Sequence, residues 1–309
     1  MDGLPLNAIA QASLMYQRTL KAPIGCVGVG LHSGSRVSLT LHPAPQDHGI
    51  VFRRTDLGRD VPARYDYVTD GRLATSLIHP DDPTARVGTV EHLMAALAGT
   101  GVGNLLVEVD GPELPILDGS ASPYVFLIDC AGIAEQEAVQ KVIEIRRPIR
   151  VAEGDSFVEL RPARPGFSGL EMTLSIDFAA AAIGRQSVSF RLTPMNFRHQ
   201  LCRARTFALA EEVEKLRAAG LARGGSLENA VVVDQARVLN PGGLRMEDEF
   251  ARHKLLDAVG DLALAGAAIH GRFVAHRSGH ALNNRLLRRL FADRSAWRAG
   301  TAELLSAAA

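Results

Sequence analysis

The amino-acid sequence predicts an α+β fold built from two domains of similar plan. Strand-like segments are clustered and joined by short turns, instead of alternating one by one with helices. Each half of the chain also holds a helix-like segment that ends at a glycine and is followed by one more strand and one more helix. These observations predict mainly antiparallel sheets packed with helices, and they argue against a doubly wound parallel sheet.

The first half begins with strands. Val37, Leu39 and Leu41 alternate with polar residues, which is the pattern of a strand with one buried face. Residues 90–98 carry apolar side chains at helical spacing, and Gly99 and Gly101 are expected to stop the helix. The elements predicted here are strands over residues 19–31, 36–42, 50–54 and 104–109, and helices over 90–98 and 122–130.

The second half repeats this order without clear residue identity. Polar segments with glycine and proline separate its strands, and Gly266 ends its long helix. The predicted elements are strands over 141–151, 157–161, 170–178, 186–192 and 272–276, and helices over 248–265 and 281–291. Additional helical material, including residues 211–219, is interpreted as an insertion. A polar run at Glu135–Glu137 breaks the pattern, so the predicted domains are residues 1–136 and 137–309.

Composition excludes several classes of function. Lys plus Arg and Asp plus Glu both number 34, and this zero net charge does not favour binding to nucleic acid or to an anionic membrane surface. Three isolated cysteines predict buried, reduced thiols of a cytoplasmic protein. The N-terminal segment lacks the pattern of a signal peptide, and the longest nearly apolar stretch, residues 262–269, is too short to span a bilayer. We therefore expect a protein that is not integral to the membrane.

Two helical segments together predict a split zinc site. Glu91 stands beside His92, as base and ligand do in the HExxH zinc hydrolases, but Ala96 occupies the position of the second histidine. His253 and Asp257 are four residues apart, so both leave the same face of the second helix. Two histidines and one carboxylate are a usual catalytic Zn²⁺ set with a fourth position open for water.

Each of these residues also has a purely structural interpretation. A lone histidine such as His92 on an apolar helix is more often a partly buried side chain than a ligand. Glu91 is explained as a first-turn acid favoured by the helix dipole, and an aspartate in a helix is usually solvated. Against this, His253, Asp257 and Asp261 form one narrow polar strip with apolar flanks, which indicates a lined cleft.

Six segments carry a more specific signal when taken in order along the chain. They are GVGLHSG at 28–34, TVEHLMAALAG at 89–99, PILDGS at 115–120, RTF at 205–207, the helix over 253–261, and SGHALNN at 278–284. Together these segments closely resemble the UDP-3-O-acyl-N-acetylglucosamine deacetylases. The resemblance implies two α+β domains with the active site between them. It also implies removal of acetate from the sugar nitrogen, the committed step of lipid A synthesis in Gram-negative bacteria.

The resemblance further implies a role for each matching residue. His92, His253 and Asp257 would hold one catalytic Zn²⁺, with Fe²⁺ as the alternative metal in the cell. Glu91 would be the general base, and protonated His280, oriented by Asp261, would stabilise the oxyanion and protonate the leaving amine. The remaining implied contacts are Thr206 to the tetrahedral intermediate, Phe207 to the sugar region, Lys254 to polar groups of the substrate and His32 to the nucleotide-sugar end.

The implied substrate is a UDP-sugar with a fatty acyl chain, and residues around 209–230 would line the passage for that chain. We expect a monomer. Two other functions remain open at this point: a non-enzymatic protein that binds nucleotide sugars or lipids, and a zinc amidase or peptidase without an acyl passage.

Overall fold

The computed structural model describes residues 15–69 and 73–302, and its architecture is α+β, as predicted. The N-terminal segment that was judged not to be a signal peptide lies mostly outside this range, since residues 1–14 are not among the described residues. No helix in the described ranges is long and apolar enough to cross a membrane. Cys26, Cys130 and Cys202 are all free, but only Cys202 is buried. The expectation of buried thiols was wrong for Cys130, which is exposed, and for Cys26, which is half-buried.

The first half of the chain builds a five-stranded sheet with two long helices. The strands of this half are β1 (Tyr16–Leu20), β2 (Ile24–Val29), β3 (Arg36–Pro43), β4 (Ile50–Arg54), β5 (Arg59–Pro62), β6 (Leu77–His79), β7 (Asp82–Val87) and β8 (Leu105–Val109). Five of them form the sheet, β6 pairs with β7, and β1 pairs with a strand of the second half. The helices of the first half are α1 (Glu91–Thr100) and α2 (Ser122–Ala131). The sheet order is β2-β3-β8-β4-β5, and only the β4–β8 pair is parallel.

The second half contains the remaining strands and helices. The strands are β9 (Ile133–Val139), β10 (Lys141–Ile145), β11 (Ile149–Glu153), β12 (Ser156–Arg161), β13 (Leu170–Asp177), β14 (Arg185–Arg191), β15 (Phe207–Leu209), β16 (Val231–Asp234), β17 (Arg237–Val238), β18 (Ala268–His276) and β19 (Trp297–Thr301). The helices are α3 (Pro194–Asn196), which continues as a π-helical turn over Phe197–Leu201, α4 (Ala210–Ala218), α5 (Glu249–Ala263) and α6 (His280–Ala292).

The two halves share one strand order. In the second sheet β11 pairs with β12, β12 with β18, β18 in parallel with β13, and β13 with β14. This is the order and direction of β2-β3-β8-β4-β5. The central strand of each sheet also lies between two helices in sequence: β8 between α1 and α2, and β18 between α5 and α6. The predicted repeat of plan is therefore confirmed as topology. The division into domains at residues 136 and 137 stays a prediction.

Two long predicted strands are in fact four. Residues 19–31 divide into β1 and β2, which lie in different sheets, and residues 141–151 divide into β10 and β11. Pro23 lies in the first interruption and Pro148 in the second, and each lacks the amide proton that a continuous ladder needs. The expectation of unbroken strands was wrong at both places.

The polar run around Glu135 was interpreted as a break in the pattern, but it lies within β9, which pairs antiparallel with β1. The segment after residue 292 lies outside every element predicted above. It contains β19, which extends the second sheet by pairing with β10. In both cases the strand lies at a sheet edge, where half-exposed polar residues weaken the alternation that predicts strands.

One continuous hydrophobic core joins the two sheets through the helices. It runs from Val37 and Phe52 of the first sheet to Phe273 of the second. Helix α1 lies inside this core, since every residue from Glu91 to Thr100 except Ala98 is buried. Its polar residues Glu91 and His92 are therefore buried where α1 meets α5.

Candidate metal centre and active site

Helices α1 and α5 approach so closely that only glycine fits at their contact. A Cβ built on Gly260 would lie 2.0 Å from the backbone oxygen of Glu91. This contact brings the start of α1 against the face of α5 that carries His253, Asp257 and Asp261. The predicted polar strip therefore faces Glu91 and His92 and does not face solvent.

The three predicted ligands come together as a buried cluster. Ligand atoms of His92, His253 and Asp257 all lie within 4.8 Å of one another. Nε2 of His253 is 3.2 Å from Oδ1 of Asp257, and Nε2 of His92 is 3.7 Å from the same oxygen. The two imidazole rings meet edge to face, with centroids 5.0 Å apart. None of the three residues is more than 4% exposed.

The chemistry of this cluster suits a cation. Nδ1 of His253 lies 3.0 Å from the carbonyl oxygen of Ala204, which leaves Nε2 directed at the other two ligands. Burial lowers the pKa of His253 to about 4, so the imidazole is neutral at pH 7, as a metal ligand must be. Oδ1 of Asp257 is buried and has no hydrogen-bond partner in the described part of the chain. A metal ion would satisfy that oxygen.

The charges around the cluster also indicate a bound cation. Glu91, Asp257 and Asp261 are three buried carboxyl groups, and the cationic groups that face them are His280 and Lys254. Burial opposes ionisation of Asp257, yet His253 and Lys254 hold the pKa of its carboxyl well below the usual range. A divalent cation would offset the remaining negative charge.

Glu91 lies beside the metal cluster and is held by the main chain of Thr75. The amide of Thr75 donates to Oε2 of Glu91 at 3.0 Å. Oε1 lies 3.8 Å from Nε2 of His280. Burial raises the pKa of Glu91, although the neighbouring His280 and His92 oppose this. A buried carboxylate with a raised pKa, directed into a polar cluster, is suited to accept a proton.

His280 faces Glu91 from the N-terminus of α6. Its Nδ1 donates to Oδ2 of Asp261 at 2.9 Å, and its Nε2 is 3.8 Å from Oδ2 of Asp257. Burial lowers the pKa of His280, but the charge and hydrogen bond of Asp261 outweigh burial and raise it to about 9. The imidazole is therefore protonated at pH 7, as a group that donates to an oxyanion or an amine must be.

Two residues of this network were not predicted. The hydroxyl of Thr75 donates to Oδ1 of Asp261 at 2.5 Å, and the side-chain amide of Asn283 donates to Oδ2 at 2.8 Å. Asn283 lies three residues after His280, on the first turn of α6, so helical spacing could have identified it. Thr75 is in a loop before β6, where no periodicity gives a signal.

Lys254 and Phe207 lie next to the metal cluster, and their contacts with the substrate stay predictions. Nζ of Lys254 donates to Oδ2 of Asp257 at 3.1 Å and lies 5.8 Å from the ring centre of Phe207. The Phe207 ring is 6.2 Å from that of His253. A cavity of about 340 Å³ opens here, with Lys254, Phe178 and Arg277 in its lining. Lys254 thus lies between Asp257 and a cavity whose lining holds two cationic side chains, the carboxylate of Asp177 and one aromatic ring.

Thr206 and His32 are held by hydrogen bonds from their main-chain amides. The Thr206 amide donates to the oxygen of Gly119 at 2.8 Å, and within the described ranges no hydrogen bond joins its hydroxyl to the metal cluster. The His32 amide donates to Oε1 of Glu113 at 2.8 Å, and both of its ring nitrogens are buried without a partner among the described residues. Burial lowers the pKa of His32. Its imidazole is therefore neutral at pH 7.

The segment predicted to line an acyl passage forms a small surface unit. It consists of β15, α4 and β16, and β15 and β16 pair in parallel. No residue of α4 is fully buried, but Leu209, Val213 and Leu216 are half-buried. Phe207 at the start of this unit connects it to His253.

Comparison with known proteins gives one family. Residues 17–292 match the family model described as UDP-3-O-acyl N-acetylglycosamine deacetylase. Proteins named UDP-3-O-acyl-N-acetylglucosamine deacetylase from Shewanella sp. strain W3-18-1, Shewanella baltica and Shewanella oneidensis are each 50% identical over 288 residues. The matched region covers 92% of this chain and 92% of each relative.

Proposed function

The chain belongs to the UDP-3-O-acyl N-acetylglycosamine deacetylase family, and we propose that it hydrolyses the N-acetyl group of UDP-3-O-(3-hydroxyacyl)-N-acetylglucosamine. Family membership makes it an enzyme, a hydrolase that acts on an amide. The products would be acetate and UDP-3-O-(3-hydroxyacyl)-glucosamine. This is the committed step of lipid A biosynthesis, and we assign the enzyme to the cytoplasm as a monomer.

One observation carries the proposal: Glu91 and His280 lie 3.8 Å apart beside a buried triad of His92, His253 and Asp257. We propose that the triad holds a single Zn²⁺, or Fe²⁺ in the cell. Bound there, the ion would lower the pKa of a water molecule to about 7 and polarise the amide carbonyl.

The chain's own residues would carry the protons. Glu91 would accept a proton from the attacking water through Oε1, while the Thr75 amide holds Oε2. His280 would stabilise the developing oxyanion through its Nε2 proton and then donate that proton to the leaving amine. Asp261 would hold Nδ1 of His280 and keep the ring cationic. The separation of 3.8 Å between Glu91 and His280 brings base and acid to one reaction centre.

The remaining surroundings fit the two ends of the substrate. We assign the cavity lined by Lys254, Arg277 and Phe178 to the nucleotide diphosphate, since two cations and an aromatic ring match a diphosphate and a base. Asp177 also lines this cavity, and its carboxylate is paired with Arg185 at 2.9 Å. The apolar residues around 209–230 would take the acyl chain. Thr206 would contact the tetrahedral intermediate, Phe207 the sugar, and His32 the nucleotide-sugar end.

Acetate release is the direct test. Purified protein is incubated with acylated UDP-N-acetylglucosamine, with and without a chelator, and acetate is measured. Acetate release that the chelator abolishes and added Zn²⁺ restores is the expected result. Tight binding without acetate release would favour a non-enzymatic binding protein. Equal hydrolysis of simple N-acetyl amides would favour a general amidase, and either result would overturn the proposal.

A further inference from the structure

We propose that Thr75 is a positioning residue that sets the general base and the general acid relative to each other. This inference rests on the proposed function, because it assigns base and acid to Glu91 and His280. Thr75 is 2% exposed and lies in the loop before β6. It makes hydrogen bonds to both sides of the reaction centre, through its main chain on one side and its hydroxyl on the other.

The main-chain side fixes the base. The Thr75 amide donates to Oε2 of Glu91 at 3.0 Å, and the Thr75 carbonyl accepts from the amide of Val90 at 3.2 Å. Thr89, the residue before Val90, has a φ of 54°, a left-handed conformation that is strained for a β-branched residue and therefore needs support from its surroundings. The Thr75 main chain therefore holds the start of α1 at the point where Glu91 leaves it.

The hydroxyl side fixes the acid indirectly. Oγ1 donates to Oδ1 of Asp261 at 2.5 Å and lies 3.1 Å from Nδ1 of His280. The other oxygen, Oδ2, accepts from both His280 and Asn283. With both oxygens bonded, the Asp261 carboxylate cannot rotate freely, and His280 keeps Nε2 toward Glu91. In the described part of the chain Thr75 bonds to neither Oε1 of Glu91 nor Nε2 of His280, the two atoms assigned to proton transfer, so it is a positioning residue.

The two sides can be separated experimentally, because substitution of the side chain leaves the main chain in place. The loop has other anchors: the Thr69 amide donates to the Ser76 oxygen at 3.0 Å, and Arg86 donates to the Ser76 hydroxyl at 3.0 Å. A Thr75→Val variant, nearly isosteric with threonine, should therefore retain the bond to Glu91 and lose only the bonds to Asp261 and His280.

Kinetics on the acylated substrate test the proposal. We expect Thr75→Val to lower kcat about 10- to 100-fold, the usual scale for an outer-shell hydrogen bond, with KM and bound metal nearly unchanged. Thr75→Ser keeps the hydroxyl and should stay within about threefold of wild type on the same scale. Thr100→Val is the matched control, because Thr100 is also buried and bonds only to carbonyls within α1. If Thr75→Val is unstable, Thr75→Ala carries the same test.

A double variant tests whether Thr75 acts on His280 through Asp261. If Thr75 acts through Asp261, Thr75→Val should add little to Asp261→Asn in the double variant. Wild-type kcat in Thr75→Val, equal loss in Thr75→Val and Thr75→Ser, or fully additive losses would each overturn the proposal.

A measurement independent of turnover separates this inference from the proposed function. The hydrogen-bonded Nδ1 proton of His280 should give a downfield resonance in protein with isotope-labelled histidine. We expect Thr75→Val to shift this resonance and Thr100→Val to leave it in place. A resonance that does not move in Thr75→Val would overturn the inference even if acetate is released. Failure of wild-type acetate release with a shifted resonance would overturn only the proposed function.

Discussion

Gly260 on α5 contacts the backbone oxygen of Glu91 on α1 without any side chain between them. A methyl group at position 260 would lie 2.0 Å from that oxygen and 2.8 Å from its carbonyl carbon. Both distances are shorter than van der Waals contact allows. The spacing of the two helices, and with it the distance from Glu91 to the groups on α5, therefore depends on a missing side chain.

We expect Gly260→Ala to lower both stability and activity. Alanine is ordinarily the better helix former by about 1 kcal/mol, but here the helices must separate, and overpacking costs about 1–3 kcal/mol. Thermal unfolding and acetate release measure the two effects. Gly242→Ala is the control, because a methyl group at position 242 would meet no other group within 4 Å among the described residues. A Gly260→Ala protein with wild-type stability and rate would show that the contact does not set the geometry.

The sequence predicted the long helices well because their apolar spacing and glycine stops are local signals. Predicted residues 90–98 and 122–130 correspond to α1 and α2, and 248–265 and 281–291 to α5 and α6. The strands were predicted less well. Whether a strand continues past a proline, or pairs at an edge as β9 and β19 do, depends on partners distant in sequence.

In the candidate site, too, residues with local sequence signals could be predicted, and residues that depend on distant partners could not. His92, His253 and Asp257 could be predicted because their residue types and helical spacing carry the chemistry, and the structure brings them together. Thr75 could not be predicted from pattern, because its role comes from a loop that folds against Glu91 and Asp261, 16 and 186 residues away. The catalytic and binding roles of all these residues, including Thr206 and His32, stay predictions.

Metal content tests the ligand set. His253→Ala removes the imidazole that lies 3.2 Å from Asp257, so most of the bound metal and most of the activity should be lost. Elemental analysis of the purified variant gives the metal per chain. His199→Ala, at an exposed histidine, should keep both. Full zinc occupancy in His253→Ala would refute the assignment of His253 as a ligand.

The acyl chain should contribute strongly to catalytic efficiency. Burial of each CH₂ is worth about 0.8 kcal/mol as an upper figure, so loss of a fatty acyl group should lower kcat/KM by several orders of magnitude. The comparison is between acylated and unacylated UDP-N-acetylglucosamine at equal metal loading. Comparable kcat/KM for the two would contradict an acyl passage around residues 209–230 and would favour a general amidase.

Glu91→Gln should separate catalysis from metal binding. The amide cannot accept the water proton, so the rate should fall by roughly two to four orders of magnitude, the usual scale for a general base. Metal content should stay near the wild-type value, because Glu91 is not among the three ligands. Loss of metal together with rate would mean that Glu91 acts through the metal cluster and not as the base.

The pH profile of kcat/KM tests the acid. Glu91 must be ionised and His280 protonated, so the profile should be bell-shaped. Asp261 raises the pKa of His280 to about 9, which means that the cationic form is present below that pH and is lost as the pH rises through it. The basic limb should therefore lie near pH 9. In Asp261→Asn the opposing effect of burial remains while the stabilising charge is gone, so the limb should move to lower pH.

His280→Ala should retain metal and flatten the basic limb of the profile. Rates of both variants and of wild type are measured across the pH range under identical metal loading. If the basic limb stays in place in both variants, some other group supplies it, and the role assigned to His280 must be withdrawn.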